Sequence, residues 1–256
     1  VIPLLILFGA GQMGSALLKG WIKKKILSPE NLIVIEPDEK KHLLIEDLGG
    51  GKVKVFSHLK EIPPPPKNPW IVWAIKPQTL REFLPKVSYN LKEISPSPET
   101  VEISIAAGVT FQELKKLRPE SRIVRAMPNQ LLLVNEGVTA LYTEDTFSTE
   151  EKEDLEKLFA CCGEIFWVEK EEEIHAFTSL SGSGPAFVAH LLEGTIEAGI
   201  ARGLSYEKAK RIACKLFSGT ARLLEEENLT CEELQRRVTS PGGTTISGLL
   251  YLKKEG

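Results

Sequence analysis

The most constraining feature of this chain lies at its start. Leu4, Leu5, Ile6, Leu7 and Phe8 form an apolar run of strand length, and Gly9-Ala10-Gly11-Gln12-Met13-Gly14 follows at once. Leu17, Leu18, Trp21 and Ile22 then recur at helical spacing. Strand, glycine turn and helix, in that order, open a dinucleotide-binding α/β unit. Gly9 permits a tight turn, Gly11 carries no side chain to block a pyrophosphate, and Gly14 lets the helix approach the strand. The free N–H groups at the helix start would then face phosphate. A glycine-rich βα turn also occurs in α/β proteins that bind no nucleotide, so the rest of the chain has to decide.

A second unit follows. Leu32, Ile33, Val34 and Ile35 read as a strand ending at Glu36, and a helical pattern runs on to about Leu48, closed by Gly49-Gly50-Gly51. Glu36 stands 22 positions after Gly14. An acidic residue near this place accepts hydrogen bonds from the adenosine ribose and repels a 2′-phosphate. That favours NADH over NADPH, although Lys40 and Lys41 just downstream could reach a phosphate. The plainer reading of Glu36 is an ordinary solvated residue after a strand.

Further strands are expected at residues 52–56, 70–75, 100–105, 122–127, 137–142 and 164–168, with helices between many of them. The run Pro63-Pro64-Pro65-Pro66 excludes helix and reads as a stiff extended link. Thr110 with Glu113, and Ser148 with Glu151, are capping signals. Strands at this spacing make an open, mostly parallel sheet whose ligands lie beyond the carboxyl ends of the strands. The tips at Ala74, Lys76 and Pro77, at Ala106 and Ala107, and at Asn129 should therefore share one cleft with the glycine turn. Small Ala106 and Ala107 leave room for a flat ring, and Asn129 offers a hydrogen bond to a ribose or carboxamide. Lys76 reads either as a cofactor contact or as a surface cation.

After about residue 168 the strand patterns stop. A helix is expected from Glu169, interrupted by Ser181-Gly182-Ser183-Gly184-Pro185-Ala186, and then a helix to about Ala201 that is apolar nearly all round. Such a helix must be buried on several sides. The remaining helical stretches, Tyr206 to Glu226, one capped by Thr230 with Glu233, and Thr244 to Lys254, are too small a bundle to cover it. A second subunit is the simplest cover. Two segments look chemical: the serine–glycine stretch just named, and Thr239-Ser240-Pro241-Gly242-Gly243-Thr244-Thr245. In each, glycine frees the backbone and a helix follows, so N–H groups are free to hold a carboxylate and hydroxyls to hold a ring nitrogen. Both also read as ordinary caps whose hydroxyls satisfy their own backbone.

Composition narrows the remaining classes. With 32 basic and 35 acidic residues in 256, the net charge is −3, and the total implies no polyanion-binding surface, hence no nucleic acid. Cys161, Cys162, Cys214 and Cys231 stand in no zinc spacing, so no metal is expected and the thiols read as reduced, in a cytoplasmic protein. No apolar run reaches membrane-spanning length, and no secretory leader is visible. The chain opens on Val1, so a few residues are expected to precede it. His42, His58, His175 and His190 pair with no serine–acid or cysteine arrangement; His190, on the apolar helix, reads as a core or interface residue.

Taken in order, Gly9-Ala10-Gly11-Gln12-Met13-Gly14, Ala74-Ile75-Lys76-Pro77, Ala106-Ala107-Gly108, Arg125-Ala126-Met127-Pro128-Asn129, Leu180-Ser181-Gly182-Ser183-Gly184-Pro185-Ala186 and Thr239-Ser240-Pro241-Gly242-Gly243-Thr244-Thr245 make the chain resemble the pyrroline-5-carboxylate reductase family of proline biosynthesis. The first motif is shared by many dehydrogenases, whereas the last is specific. The resemblance implies a Rossmann-type, mostly parallel α/β domain over residues 1–168 and an all-helical substrate-binding and dimerisation domain over 169–256. It implies that Gly11, Gln12 and Met13 hold the pyrophosphate of NADH or NADPH. Ala74, Lys76, Pro77, Ala106, Ala107 and Asn129 would line the nicotinamide half. The Gly242, Gly243, Thr244 and Thr245 turn would hold the carboxylate of a cyclic imino acid, with Thr245 at the ring nitrogen as the catalytic residue. Ser181 and Ser183 would help close the substrate side. A homodimer or higher homo-oligomer is implied, and so is a further helix beyond Gly256, where this sequence stops. Two alternatives stay open: a two-domain dehydrogenase acting on a hydroxy or amino acid, and a dinucleotide sensor without turnover.

Overall fold

The computed structural model describes residues 2, 4–62, 68–90 and 98–255. The expected polyproline link at Pro63 to Pro66 lies outside the described residues. The strands and helices come in the order β1 (Leu5–Phe8), α1 (Gln12–Lys23), β2 (Leu32–Ile35), α2 (His42–Leu48), β3 (Lys54–Phe56), β4 (Trp70–Trp73), α3 (Pro77–Asn90), β5 (Val101–Ser104), α4 (Phe111–Leu117), β6 (Arg122–Met127), β7 (Gly137–Tyr142), α5 (Thr149–Ala160) and β8 (Gly163–Trp167). Three-residue 3₁₀ turns at Pro29–Asn31, Glu39–Lys41 and Leu59–Glu61 link the early units. The eight strands form one sheet in the order β3-β2-β1-β4-β5-β6-β7-β8. Every pairing is parallel except β6 with β7, which is antiparallel.

β1, β2 and β4 are apolar at every position because both faces are covered. Their side chains still alternate. Leu5, Leu7, Val34, Val72, Ile103 and Val124 pack with Leu17, Leu18 and Trp21 of α1 and with Leu155, Leu158 and Phe159 of α5. Ile6, Phe8, Ile33, Ile35, Ile71 and Trp73 face the other way, onto Leu80 and Leu84 of α3 and Phe111 and Leu114 of α4. Cys161 and Cys162 are buried free thiols against α1. A Cβ on Gly20 would lie 2.4 Å from the Cys162 sulfur, so glycine is required for this close approach.

One charge is built into the core. Glu102, 1% exposed on β5, accepts from Arg118 Nε at 2.6 Å, Ser121 Oγ at 2.6 Å and Trp73 Nε1 at 2.9 Å. The caps expected at Thr110 and Ser148 form, each hydroxyl accepting the N–H three residues on.

The last strand ends at Trp167, but the first compact unit runs on to Pro185. Residues 169–172 are a turn, so the helix expected from Glu169 begins at Glu173 as α6 (Glu173–Phe177). Ile174 of α6 is fully buried with Tyr142 and Val168. The serine–glycine stretch does not interrupt the helix as a loop. A π-helical turn, Thr178–Gly182, carries α6 toward α7 (Gly184–Ala201). Its internal hydrogen bonds keep the glycines in a helical path.

The second unit, residues 186–256, contains most of α7, then α8 (Tyr206–Glu226), α9 (Cys231–Arg237) and α10 (Thr244–Glu255). α7 and α8 meet where a Gly199 Cβ would stand 3.1 Å from Ala209 Cβ. Phe187, Val188, Leu191 and Ile200 of α7 are all exposed, so the described residues do not supply the burial expected for it. His190 likewise is no core residue here; its side chain is 86% exposed, 3.8 Å from Glu193. Cys214 and Cys231 are exposed.

Candidate functional site

The sheet register brings the expected tips to one edge of the first unit. Phe8 is in register with Ile35 on one side and Trp73 on the other, Trp73 with Ser104, and Ser104 with Arg125. All five strands run the same way. The residues that follow therefore emerge side by side, and the order reverses at β1, the switch point where such sheets bind ligands.

The glycine turn has the geometry its sequence demands. Gly9 has φ +89°, and a Cβ there would lie 2.7 Å from the Ala74 carbonyl oxygen. A Cβ on Gly14 would lie 2.1 Å from the Gly9 carbonyl oxygen. Both glycines serve close packing. Gly11 is different: it is exposed at the head of α1, and a Cβ there would meet nothing within 4 Å. No side chain caps α1. Its first N–H groups, Gln12 and Met13 among them, lack intrahelical acceptors and sit at the positive end of the helix dipole. An anion fits this place, and a side chain at Gly11 would occupy part of the same space.

Glu36 does more than end β2. It is 6% exposed, and its Oε2 accepts the Ala10 N–H at 2.8 Å while Oε1 accepts the Asp38 N–H at 3.0 Å. Lys41 Nζ stands 3.3 Å from Oε2. The solvated reading of Glu36 is thus excluded. The carboxylate braces the glycine turn from beneath, and Ser15 Oγ adds a second brace by donating to the Ala10 carbonyl at 2.9 Å.

The other tips differ in what they present. Ala74 is half-buried against Gly14, Lys76 is exposed, and Pro77 opens α3, where its missing N–H costs nothing. Ala106 is buried and Ala107 exposed. Gly108, at φ +71°, has its carbonyl held by Arg81 Nη2 at 2.7 Å, and Arg81 Nε pairs with Glu113 at 2.6 Å. Asn129 is 4% exposed: its Oδ1 accepts the Val138 N–H and its Nδ2 donates to the Ser181 carbonyl, both at 3.0 Å. Its amide is thus engaged with protein on two sides. Ser181 Oγ donates to the Phe177 carbonyl at 2.7 Å, and the Ser183 N–H donates to the Thr178 carbonyl at 3.1 Å. These groups satisfy the π-helical turn, which no side chain caps.

Within the second unit, Gly242 takes φ +71° and the Gly243 N–H returns to the Ser240 carbonyl at 3.1 Å. The left-handed φ of Gly242 is what favours glycine in this tight turn; a Cβ on Gly243 would lie 2.5 Å from Ser240 Oγ, which can rotate away. α10 starts directly after it, and its first turn leaves the N–H groups of Thr244 and Thr245 without intrahelical acceptors. Gly242 and Thr244 are exposed, and Thr245 is half-buried.

Sequence reasoning missed three supports: Ser15, the Arg81 clamp, and the pair of buried Arg125 with Glu171 at 2.8 Å. Glu171 also accepts the Phe111 N–H at 2.6 Å. Only Arg125 carried a signal, as a cation inside a strand pattern. Among the described residues, no group of three or more His, Cys, Asp or Glu is placed to hold a metal ion, and no helix is long and apolar enough to cross a membrane.

The parallel sheet, its switch point and the open helix start define a Rossmann-type dinucleotide-binding protein. Comparison with known proteins narrows the class. Residues 4–108 match the family described as NADP oxidoreductase, coenzyme F420-dependent, and residues 171–256 match pyrroline-5-carboxylate reductase dimerisation. A pyrroline-5-carboxylate reductase of Aquifex aeolicus is 36% identical over 97% of this chain and 88% of its own length. One from Methanosarcina acetivorans is 33% identical over 97% and 88%. The solved pyrroline-5-carboxylate reductase of Coxiella burnetii superposes with a TM-score of 0.87 at 28% identity, covering 100% of this chain and 92% of that one. The Plasmodium falciparum pyrroline carboxylate reductase with NADP bound gives 0.81 at 29%, covering 98% and 90%. The chain belongs to the pyrroline-5-carboxylate reductase family, whose dimerisation region spans most of its helical half.

Proposed function

We propose that this protein reduces L-1-pyrroline-5-carboxylate to L-proline with NADH or NADPH, as a homodimer or a higher homo-oligomer. The observation that carries the reading is the bare head of α1 under Gly11, in a chain similar over nearly its whole length to named pyrroline-5-carboxylate reductases. A bound reduced nicotinamide supplies the hydride, which adds to the carbon of the protonated C=N bond and leaves a neutral ring amine. The protein's work is mainly to hold two rings at reactive distance. Gly11, Gln12 and Met13 hold the pyrophosphate, while Gly9 and Gly14 shape the turn. Ala74, Lys76, Pro77, Ala106 and Ala107 border the nicotinamide half. Gly242, Gly243 and Thr244 hold the substrate carboxylate by backbone N–H groups at the head of α10, and Thr245 bonds the ring nitrogen. Ser181 and Ser183 shape the substrate side through the turn they build.

Glu36 favours NADH, but weakly, because Lys41 partly neutralises it. The exposed apolar face of α7 is covered by the second subunit. Following NADH and NADPH oxidation with pyrroline-5-carboxylate tests the reading. Steady turnover with release of L-proline is expected. Binding of either dinucleotide with no oxidation by this imine, or turnover only with hydroxy acids, overturns it.

A further inference from the structure

We infer that Asn129 is a positioning residue that latches the serine–glycine turn to the cofactor edge of the sheet, an inference that rests on the function just proposed. The reason lies in Pro185. In a continuous helix the Ser181 carbonyl would accept the N–H four residues on, and Pro185 has none to give. Asn129 Nδ2 supplies the donor instead, at 3.0 Å. Asn129 stands at the N-cap of the 3₁₀ turn Gln130–Val134, where an asparagine side chain ordinarily caps its own turn. Here it makes no such bond. Its Oδ1 takes the Val138 N–H at the start of β7, so one buried amide ties the end of β6, the start of β7 and the π-helical turn together. The Met127-Pro128-Asn129 and Ser181-Gly182-Ser183-Gly184-Pro185 motifs, far apart in sequence, thereby complete each other: one lacks a donor that the other provides.

Asn129→Asp isolates the latch. It keeps an acceptor for Val138 and sets an oxygen against the Ser181 carbonyl. kcat/KM for pyrroline-5-carboxylate should fall about tenfold or more while the Kd for NADPH moves less than about twofold. Adding Pro185→Ala restores an N–H four residues after Ser181 and should recover part of the loss. A lowered Tm with kcat and KM unchanged, or no recovery in the double variant, overturns the inference. Hydrogen exchange reads the latch without turnover. Exchange at the Ser183 amide should quicken about tenfold in Asn129→Asp, with Val138 unchanged; equal protection of Ser183 in both proteins overturns the latch. If the wild-type protein fails to reduce the imine, the function is overturned and exchange alone decides the latch. Asn129→Ser, which adds no charge, carries the same exchange and kinetic tests if the Asp variant does not fold.

Discussion

Glu36 and Ala10, 26 residues apart, share a buried hydrogen bond of 2.8 Å that fixes the glycine turn to the end of β2. The same carboxylate faces Lys41 at 3.3 Å. Two effects follow from removing it: the turn loses a brace, and Lys41 becomes free to meet a 2′-phosphate. Glu36→Ala should therefore weaken NADH about tenfold and NADPH less, narrowing the gap between them. Titration of both cofactors by fluorescence measures this. An unchanged NADH-to-NADPH ratio removes Glu36 from cofactor choice.

Thr245 sits in the first turn of α10, half-buried. Thr245→Ala should lower kcat by about tenfold to a hundredfold and leave the dinucleotide Kd nearly untouched. Thr245→Ser, which keeps the hydroxyl, should retain most of the turnover. Steady-state kinetics with both ligands varied decides it, and a full turnover number in the alanine variant would remove the role.

The Glu102–Arg118 pair predicts an asymmetry. Both side chains are 1% exposed, and neither Nη atom of Arg118 has a hydrogen-bond partner. Glu102→Leu strands a cation that cannot shed its proton, at a cost of about 3–5 kcal/mol. Arg118→Leu should cost less, because Trp73 and Ser121 still donate to Glu102 and the carboxyl can take up a proton. The double leucine variant should recover much of the loss. Urea unfolding of the three variants checks the order.

Arg81 predicts a pH signature. Its hydrogen bond to Glu113 holds that carboxyl below the ordinary carboxylate range. A pKa lowered by folding stabilises the protein above the unfolded value, and the contribution fades as pH falls through the folded one. The gap between Arg81→Gln and the wild type in thermal unfolding should be widest above about pH 5 and narrow in more acidic solution, leaving the part due to the Gly108 carbonyl. A gap that does not narrow at low pH contradicts the pairing. The variant should also raise the KM for the dinucleotide a few-fold, because the Gly108 carbonyl loses its donor.

The legible parts of the fold were those written in local patterns. β1 and the glycine turn follow from an apolar run, a left-handed Gly9 and a crowded Gly14. The caps at Ser148 and Thr230 follow from three-residue spacings. What stayed hidden is long-range or runs against local habit. Ser181-Gly182-Ser183-Gly184-Pro185 has the composition of a loop, yet the Ser183 N–H closes a π-helical ring onto Thr178. Glu36 reads as a ribose acceptor from position alone, but only the folded chain puts its carboxylate under Ala10. The buried Glu102–Arg118 pair left no periodic trace, since one carboxylate in β5 looks like ordinary strand alternation.

The reversal at β7 has a consequence for chain length. β7 runs against β6 and β8 runs with β7, so the chain leaves the sheet at the end away from the glycine turn. α6 and the π-helical turn bring it back far enough for the Ser181 carbonyl to reach Asn129. This rod is a ruler: each residue advances it about 1.5 Å and turns it about 100°. Its side chains can vary, but its tally of residues cannot. Deleting one between Glu173 and Thr178 would swing Ser181 off the Asn129 amide.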